Sequence, residues 1–573
     1  MSKVKITIDE QTVEVEENST LLEAAKKIGI DIPTLCYHPD LSLHGACRVC
    51  VVEDEKSGSL LASCATPVNE GMQINTRSMK ARKARRRNVE LLLANHPNDC
   101  LGCDRNGYCE LQDLTYELGI QSEDVERIAG EQSEYELDTT GPALKRDPNK
   151  CILCGRCVRI CEEVQGVSAL QFTGRGFDSI VSTAFDLPQA EINCVNCGQC
   201  ATVCPVGAIT ELSEIEKVWA ALEDDSKHVL VQTAPSIQAT LGEEFEMETG
   251  TVVTGKMVAA LRRMGFDKVF STDFGADLTI LEEGSEFLKK LNGEGELPHI
   301  TSCCPGWVKG AEHNFPDLLK HLSSAKSPMQ MFSALSKTYY PDQTGVDPET
   351  IYTVAVMPCT AKKFEKDREE INGSDFKDTD AVLTTREFAR MIKEMGINFT
   401  ALPDEDFDEL MGESTGAGTI FGTTGGVAEA AVRTVKEKLT GEPLERLNLG
   451  FRGINRAEVR IGDRIVKVGI ANGFKNAQKL LERVRAGECD LDFIEIMAFP
   501  HGCVGGGGQP RPATNEKKEK RAQGLASIDD TSKIRKSHEN PQIMKLYDEF
   551  LGEPLGGESH HLLHTKYKAR PKN

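Results

Sequence analysis

Two stretches of this chain repeat one cysteine spacing. Cys151, Cys154, Cys157 and Cys161 read C-x2-C-x2-C-x3-C, and Cys194, Cys197, Cys200 and Cys204 read the same, with Pro205 after the second. Thiols this dense need either disulfides or metal, so the pattern fixes much of what the chain can fold around. Fifteen of the 20 cysteines precede residue 205. The N-terminus MSKVKITIDE lacks the apolar stretch of a signal peptide, and no run of about 18 apolar residues offers a membrane span. A cytoplasmic protein is expected, and in a reducing compartment its cysteines read as metal ligands or catalytic groups. At 573 residues the chain exceeds one core, and its net charge of −22 argues against nucleic-acid binding. The basic run Arg77 to Arg87 reads as a solvated helix face, or else as a docking patch for an acidic partner.

The repeated spacing is that of bacterial two-cluster ferredoxins, where the fourth cysteine of each run ligates the other cluster. One 4Fe–4S cluster is therefore expected on Cys151, Cys154, Cys157 and Cys204, and another on Cys194, Cys197, Cys200 and Cys161. Glu162 stands where the first run would usually carry proline, and we read it as tolerated. Upstream, KVKITIDEQTVEVEE alternates apolar and polar residues on both sides of Glu10–Gln11, which predicts a hairpin. STLLEAAKKIG then predicts a helix capped by Ser19 or Thr20. Cys36, Cys47, Cys50 and Cys64 follow as C-x10-C-x2-C-x13-C, a longer-looped version of the plant-type 2Fe–2S plan. Zinc is the alternative there, but zinc sites usually pair two C-x2-C knuckles and only one is present. His96, Cys100, Cys103 and Cys109 form H-x3-C-x2-C-x5-C. Three cysteines cannot close a cubane and a neutral imidazole can supply the fourth ligand; zinc bound by the same three thiolates and imidazole is the alternative. Fifteen cysteines plus His96 make the sixteen ligands that four clusters need.

From about residue 212 apolar runs alternate with amphipathic stretches. HVLVQTAPSI, DKVFSTDFGADLTIL, IYTVAVMPC, DAVLT and LDFIEIMAF read as buried strands; KMVAALRRMG, GGVAEAAVRTVKEKL and NAQKLLERVRAG read as helices. Such alternation predicts α/β units with largely parallel sheets. Cys303 and Cys304, Cys359 and Cys503 each fall just past a buried strand, where open α/β sheets place active sites. The loops TSCCPGWVKG, MPCTAKKFE and FPHGCVGGGGQP thus converge on one expected site. Gly505 to Gly508 remove every side chain beside Cys503, which lets backbone approach something bulky and non-protein; a flexible loop is the plainer reading. Lys362 would place an ammonium beside an anionic ligand, or is an ordinary surface lysine. No G-x-G-x-x-G follows a strand, so any NADH or NADPH is expected to bind a partner subunit.

At these loops the sequence resembles the FeFe (iron-only) hydrogenases, in their long clostridial-type form or as the catalytic subunit of a multimeric NAD(P)-linked enzyme. The motifs TSCCPGW, MPCTAKK and GCVGGGGQP carry the resemblance, which runs from the 2Fe–2S region to the tail LLHTKYK. It implies a multidomain α+β and α/β chain. A β-grasp 2Fe–2S ferredoxin-like domain (1–78) would come first, then a 4Fe–4S module held by one histidine and three cysteines (79–119). A bacterial two-cluster ferredoxin module (140–211) and a two-lobed α/β H-cluster domain (212–573) would follow. The H-cluster is a 4Fe–4S cubane bridged by cysteine to a diiron unit carrying CO, cyanide and azadithiolate. By resemblance, Cys304 and Cys359 hold the cubane, Cys503 bridges it to the diiron unit, Cys303 passes protons, and Lys362 bonds a cyanide. Met357, Met497, Ala234, Pro235, Ser236 and Phe421 would line the diiron pocket. A proton route through Cys303, Glu283, Ser323 and Glu286 is also implied. Glu283 and Glu286 are three residues apart in LEEGSEFLKKL and so share a helix face, where burial that raised their pKa values would suit a relay; a solvated acidic pair is the alternative.

One position departs from the family. Its third loop normally reads M-A-C-P-x-G-C, whereas this chain has Met497, Ala498, Phe499, Pro500, His501, Gly502 and Cys503. Phe499 cannot bind iron. His501 substitutes for the missing thiolate, or the cubane stands on three protein ligands with water or hydroxide, or the site is damaged; Cys489 reads as a buried small hydrophobe. The reaction implied is 2H⁺ + 2e⁻ ⇌ H2, with electrons from ferredoxin or from a flavin subunit oxidising NAD(P)H. The competing readings are a non-catalytic Fe–S electron-transfer subunit, akin to the matching part of respiratory complex I, and a redox or H2 sensor with a modified H-cluster.

Overall fold

The computed structural model describes residues 2–130, 133–444, 447 and 453–571. Lys3–Ile8 and Gln11–Glu16 pair antiparallel with Ile8 opposite Gln11. The turn is Asp9–Glu10, both at positive φ (45° and 70°), one residue earlier than the alternation suggested. Asp9 tolerates that conformation and its carboxylate is fixed by the Thr76 N–H at 2.6 Å. Thr20 caps the helix Leu21–Lys27 in a reciprocal box with Glu23. The sheet runs Gln11–Glu16, Lys3–Ile8, Gln73–Asn75, Val51–Asp54, Leu60–Ala62, with Gln73–Asn75 parallel to Lys3–Ile8, a β-grasp arrangement. The basic run lies on the helix Met79–Ala94, where Arg85 donates to Val51 O (2.9 Å) and Arg86 to Leu118 O (2.8 Å), while Arg82, Lys83 and Arg87 face solvent.

The repeated cysteine runs sit on a small module closed by the antiparallel pair Leu144–Arg146 and Ile209–Glu211. Each run turns into a short helix, Arg156–Arg159 or Gln199–Val203, through a glycine at positive φ, Gly155 or Gly198. Two four-stranded sheets build the remainder. One is parallel throughout, in the order Lys268–Ser271, His228–Thr233, Ile351–Met357, Ala381–Thr384. The other runs His299–Ile300, Phe493–Met497, Arg464–Asn472, Ile454–Ile461, antiparallel at its last pair alone. Each sheet has its own apolar core, so the catalytic part has two lobes.

The helix Thr272–Leu291 packs between them and corrects one expectation. DKVFSTDFGADLTIL is a strand only over Lys268–Ser271; the rest is the start of this helix. Its residues from Thr272 to Gly284 are all buried, so no polar face marks the helical period, and a buried helix cannot be told from a strand by alternation. Ser271 starts it, its Oγ accepting the Asp273 N–H at 3.1 Å. Ser271→Ala is expected to cost about 1 kcal/mol and to lower the thermal midpoint followed by far-UV circular dichroism.

Candidate iron–sulfur sites and the buried thiol cavity

The structure gathers the front cysteines into the expected sets. Cys36 contacts Cys47 and Cys64, and Cys64 contacts Cys50; hydrogen bonds from Cys47 and Cys64 hold the Cys36 thiol far below its ordinary range, and one from Cys64 lowers Cys50. Cys103 acts on both Cys100 and Cys109, and beside them His96 is buried, which pushes its pKa down and keeps the imidazole neutral as a ligand requires. The two runs interleave: Cys204 acts on Cys151, Cys154 and Cys157, while Cys161 acts with Cys194 on Cys197 and Cys200. Burial raises these thiols, Cys151 and Cys161 to about 11 and Cys154 to about 12. Such thiols release their protons to a metal rather than to water. Backbone N–H groups of Leu153, Asn196 and Ala169 point at the sulfurs of Cys151, Cys194 and Cys161 at 3.2–3.4 Å, as in cluster-binding loops.

The three back loops meet in one enclosed cavity between the lobes. Cys303, Cys304, Cys359 and Cys503 line it with Met357, Met497, Lys362, Ala234, Pro235 and Phe421. Ser236 stands behind the wall, its Oγ taking Gln509 Nε2 at 3.1 Å. Lys362 is no surface lysine: it is buried, and Glu365 (2.7 Å) and Ser327 (2.8 Å) anchor its ammonium. Burial pulls its pKa down, but the Glu365 carboxylate outweighs that and keeps it charged. Met329 and Thr272 also line the cavity and carried no sequence signal; the Glu365 anchor was legible as an i,i+3 pair with Lys362. Phe499 is a lining residue, 1% exposed. His501 is not among the lining residues; its Nε2 lies 3.5 Å from Glu519 Oε1. Cys489 is half-buried rather than buried, just past the helix Phe474–Arg485.

The four glycines serve a different approach from the one expected. A side chain on Gly507 would strike Cys197 O at 2.1 Å and Gly198 at 2.5 Å; one on Gly506 would strike Pro358 O at 2.3 Å. What comes close is therefore protein backbone, that of the ferredoxin module and of the Cys359 loop. Gln199 donates to Gly505 O (2.7 Å), Thr202 to Gly507 O (2.9 Å), and Thr360 to Asn196 O (2.7 Å), which clamps the module against the cavity. Cys359 is close enough to act on Cys197.

Glu283 and Glu286 share the helix Thr272–Leu291. Glu283 is fully buried, neither carboxylate oxygen has a hydrogen-bond partner, His299 Nε2 lies 3.6 Å away, and its charge acts on Cys303. Ser323 Oγ donates to Glu286 at 3.0 Å. The expected rise in pKa is overturned at Glu286: burial pushes it up, but His299, Lys290 and the Ser324 and Ser323 donors outweigh burial and lower it.

Fold and cavity together define an iron–sulfur oxidoreductase in which a ferredoxin module abuts a buried, thiol-lined site. Residues 227–507 match the family described as iron-only hydrogenase large subunit, C-terminal domain, and residues 515–570 match iron hydrogenase small subunit. Residues 1–79 match a 2Fe–2S iron–sulfur cluster binding domain. Residues 85–124 match the iron–sulfur binding region of NADH-ubiquinone oxidoreductase G, and 141–210 the ferredoxin-like domain of NADH-quinone oxidoreductase subunit 3. The chain is 50% identical to the NADP-reducing hydrogenase subunit HndD of Solidesulfovibrio fructosivorans, over 100% of both chains. It is 41% identical to iron hydrogenase 1 of Clostridium pasteurianum, over 96% of this chain and 98% of that one. An apo form of the FeFe hydrogenase HydA1 from Chlamydomonas reinhardtii superposes with a TM-score of 0.57 at 41% identity, covering 63% of this chain and 100% of that one. The chain belongs to the FeFe hydrogenase family, with 2Fe–2S and 4Fe–4S domains preceding the H-cluster domain. Gly507→Val, which forces module and cavity apart, is expected to slow H2-driven reduction of the N-terminal clusters at least about tenfold, followed by bleaching of their visible absorbance.

Proposed function

We propose that this chain interconverts protons and electrons with H2 at the cavity, the electrons passing through the cysteine-rich front. The observation that carries this reading is one buried cavity uniting Cys303, Cys304, Cys359, Cys503 and a charged Lys362 directly behind Cys197. A chain that only relayed electrons has no use for such a cavity. Burial raises Cys304, and raises Cys359 to about 12, so both suit metal better than solvent. The donor set fits an H-cluster at three thiolates, Cys304, Cys359 and Cys503, and at the cation; Phe499 offers a phenyl ring where a fourth thiolate is expected. When bound, that group supplies the two-electron chemistry of H2.

The chain's own residues do the rest. Lys362, fixed by Glu365 and Ser327, presents a positive charge to an anionic cyanide. Met357, Met497, Ala234, Pro235 and Phe421 keep water out, and Ser236 braces Gln509 beside Cys503, whose carbonyl Gln509 also reaches at 3.1 Å. Burial, then the charge of Glu283, holds the proton on the Cys303 thiol, which suits a group that hands a proton on. Glu283 takes it up, and the Ser323–Glu286 pair carries it outward. The four clusters we assign to the front lie on Cys36, Cys47, Cys50 and Cys64; on His96, Cys100, Cys103 and Cys109; and on the two interleaved sets. Electrons come from ferredoxin or from a flavin- and NAD(P)-binding iron–sulfur subunit. The likeness to a subunit of an NADP-reducing hydrogenase supports the latter. Among the described residues no helix is long and apolar enough to cross a membrane, and we place the protein in the cytoplasm.

The matured protein is expected to show infrared bands of CO and cyanide and to evolve H2 from reduced viologen with inhibition by CO. Turnover absent in a protein replete with front clusters and lacking those bands would leave only electron transfer. Cys303→Ala is expected to lower H2 evolution by about 100-fold or more. Phe499→Cys is expected to raise both the iron retained by the catalytic domain and its H2 evolution, measured on the matured protein.

A further inference from the structure

A cation buried in protein is ordinarily paired with a carboxylate. This chain pairs several that way: Arg156 with Glu110 (2.8 Å), Lys363 with Glu387 (2.7 Å), Arg521 with Glu243 (2.6 Å). Three buried cations break the rule. Arg105, 5% exposed, donates to Cys204 O at 3.3 Å, and its Nε has no hydrogen-bond partner. Arg159, 7% exposed, donates to the carbonyls of Cys36 (2.6 Å), Gly155 (3.3 Å) and Ser42. Lys309, 8% exposed, lies over the Phe364 ring at 4.5 Å. Among the described residues no carboxylate stands within ion-pair distance of any of the three; Glu163, on the same stretch as Arg159, accepts from Ser42 instead.

All three lie beside the cysteine loops, Arg105 and Arg159 on the carbonyls of Cys204 and Cys36. A side chain on Gly207 would meet Cys103 Sγ at 2.7 Å and Arg105 Cγ at 3.5 Å, so Arg105 sits where the Cys100–Cys109 module touches the Cys204 end of the next. Arg159 leaves the helix that holds Cys157 and binds the Cys36 carbonyl, bridging the 2Fe–2S domain to the ferredoxin module. Lys309, on the helix that follows Cys304, is close enough to act with Cys194.

We infer that Arg105, Arg159 and Lys309 are the counter-cations of the cluster chain, one at each junction between modules, and that they hold the reduction potentials of the flanking clusters up. The inference rests on reading the thiolate sets as cluster sites. A cluster bound by four thiolates is anionic and gains one more negative charge on reduction. A fixed cation in a low-dielectric junction therefore favours the reduced form. At the Arg156–Glu110 pair the carboxylate offsets part of the cation's charge, which also acts on Cys154.

The test is EPR-monitored potentiometry on the full reconstituted chain, with iron and sulfide measured in every variant. Arg105→Gln and Arg159→Gln keep a donor and remove the charge. Each is expected to move the midpoint of the Cys151–Cys204 cluster to more negative potential, additively when combined, with recovery in Arg105→Lys and Arg159→Lys. The charge-neutral double change Arg156→Gln with Glu110→Gln is expected to move it less than either Arg105→Gln or Arg159→Gln. Cluster-replete variants with unmoved midpoints overturn the inference. If a glutamine variant loses its cluster, Lys309→Gln decides: the Cys194-containing cluster falls in potential, or the inference fails. A wild-type chain with no EPR-active clusters would instead overturn the underlying assignment.

Discussion

Buried thiol against metal is the interaction on which this structure depends. The front modules carry apolar cores of their own, one in the β-grasp domain and one around the cysteine-rich loops, and thiols such as Cys50, Cys64, Cys154 and Cys157 belong to them. In the ferredoxin module the thiols are enclosed, and enclosure makes Cys151, Cys154 and Cys161 hold protons well above neutral pH. Deprotonation by bound iron would remove that cost, so cluster loading would add to the stability of the front half. The catalytic part differs. Its two sheets, one parallel and one antiparallel at a single pair, each carry a large apolar core, and its thiols project from strand ends into a cavity that the lobes define.

The join between the halves is made by absence of side chains. Gly198 and Gly507 let two backbones approach so closely that any Cβ would collide. The hydrogen bonds from Gln199, Thr202 and Thr360 then lock the ferredoxin module on the cavity wall. The same loop that delivers Cys503 to the cavity thus receives the module that supplies electrons. Position of the wire and position of the reactive thiols are set by one stretch of sequence, from Phe499 to Pro510.

Much of this was legible from spacing. The cysteine sets, the interleaving of the two runs, the parallel sheets and the convergence of three loops all follow from local pattern. What was not legible is what depends on partners far away in sequence. The helix Thr272–Leu291 read partly as a strand because burial on every side erased its period. The glycine quartet announced close approach but not what approached. The lowered pKa of Glu286 arises from His299, from Lys290 four residues on along the same helix, and from two serines; of these only the Lys290 pair is legible in the sequence, since His299 and the serines come from other elements. Nor does the sequence report that His501 lies beside Glu519 on the helix Asn515–Thr531.

The interleaving of Cys161 and Cys204 has a topological consequence. Each thiolate set borrows one member from the other run, so the segment between Cys151 and Cys204 is stitched to itself at both ends. Neither centre is a self-contained cassette. With clusters on the sets proposed above, loss of Cys161 or of Cys204 would take a ligand from the centre of the opposite run, so damage to one run would reach the other.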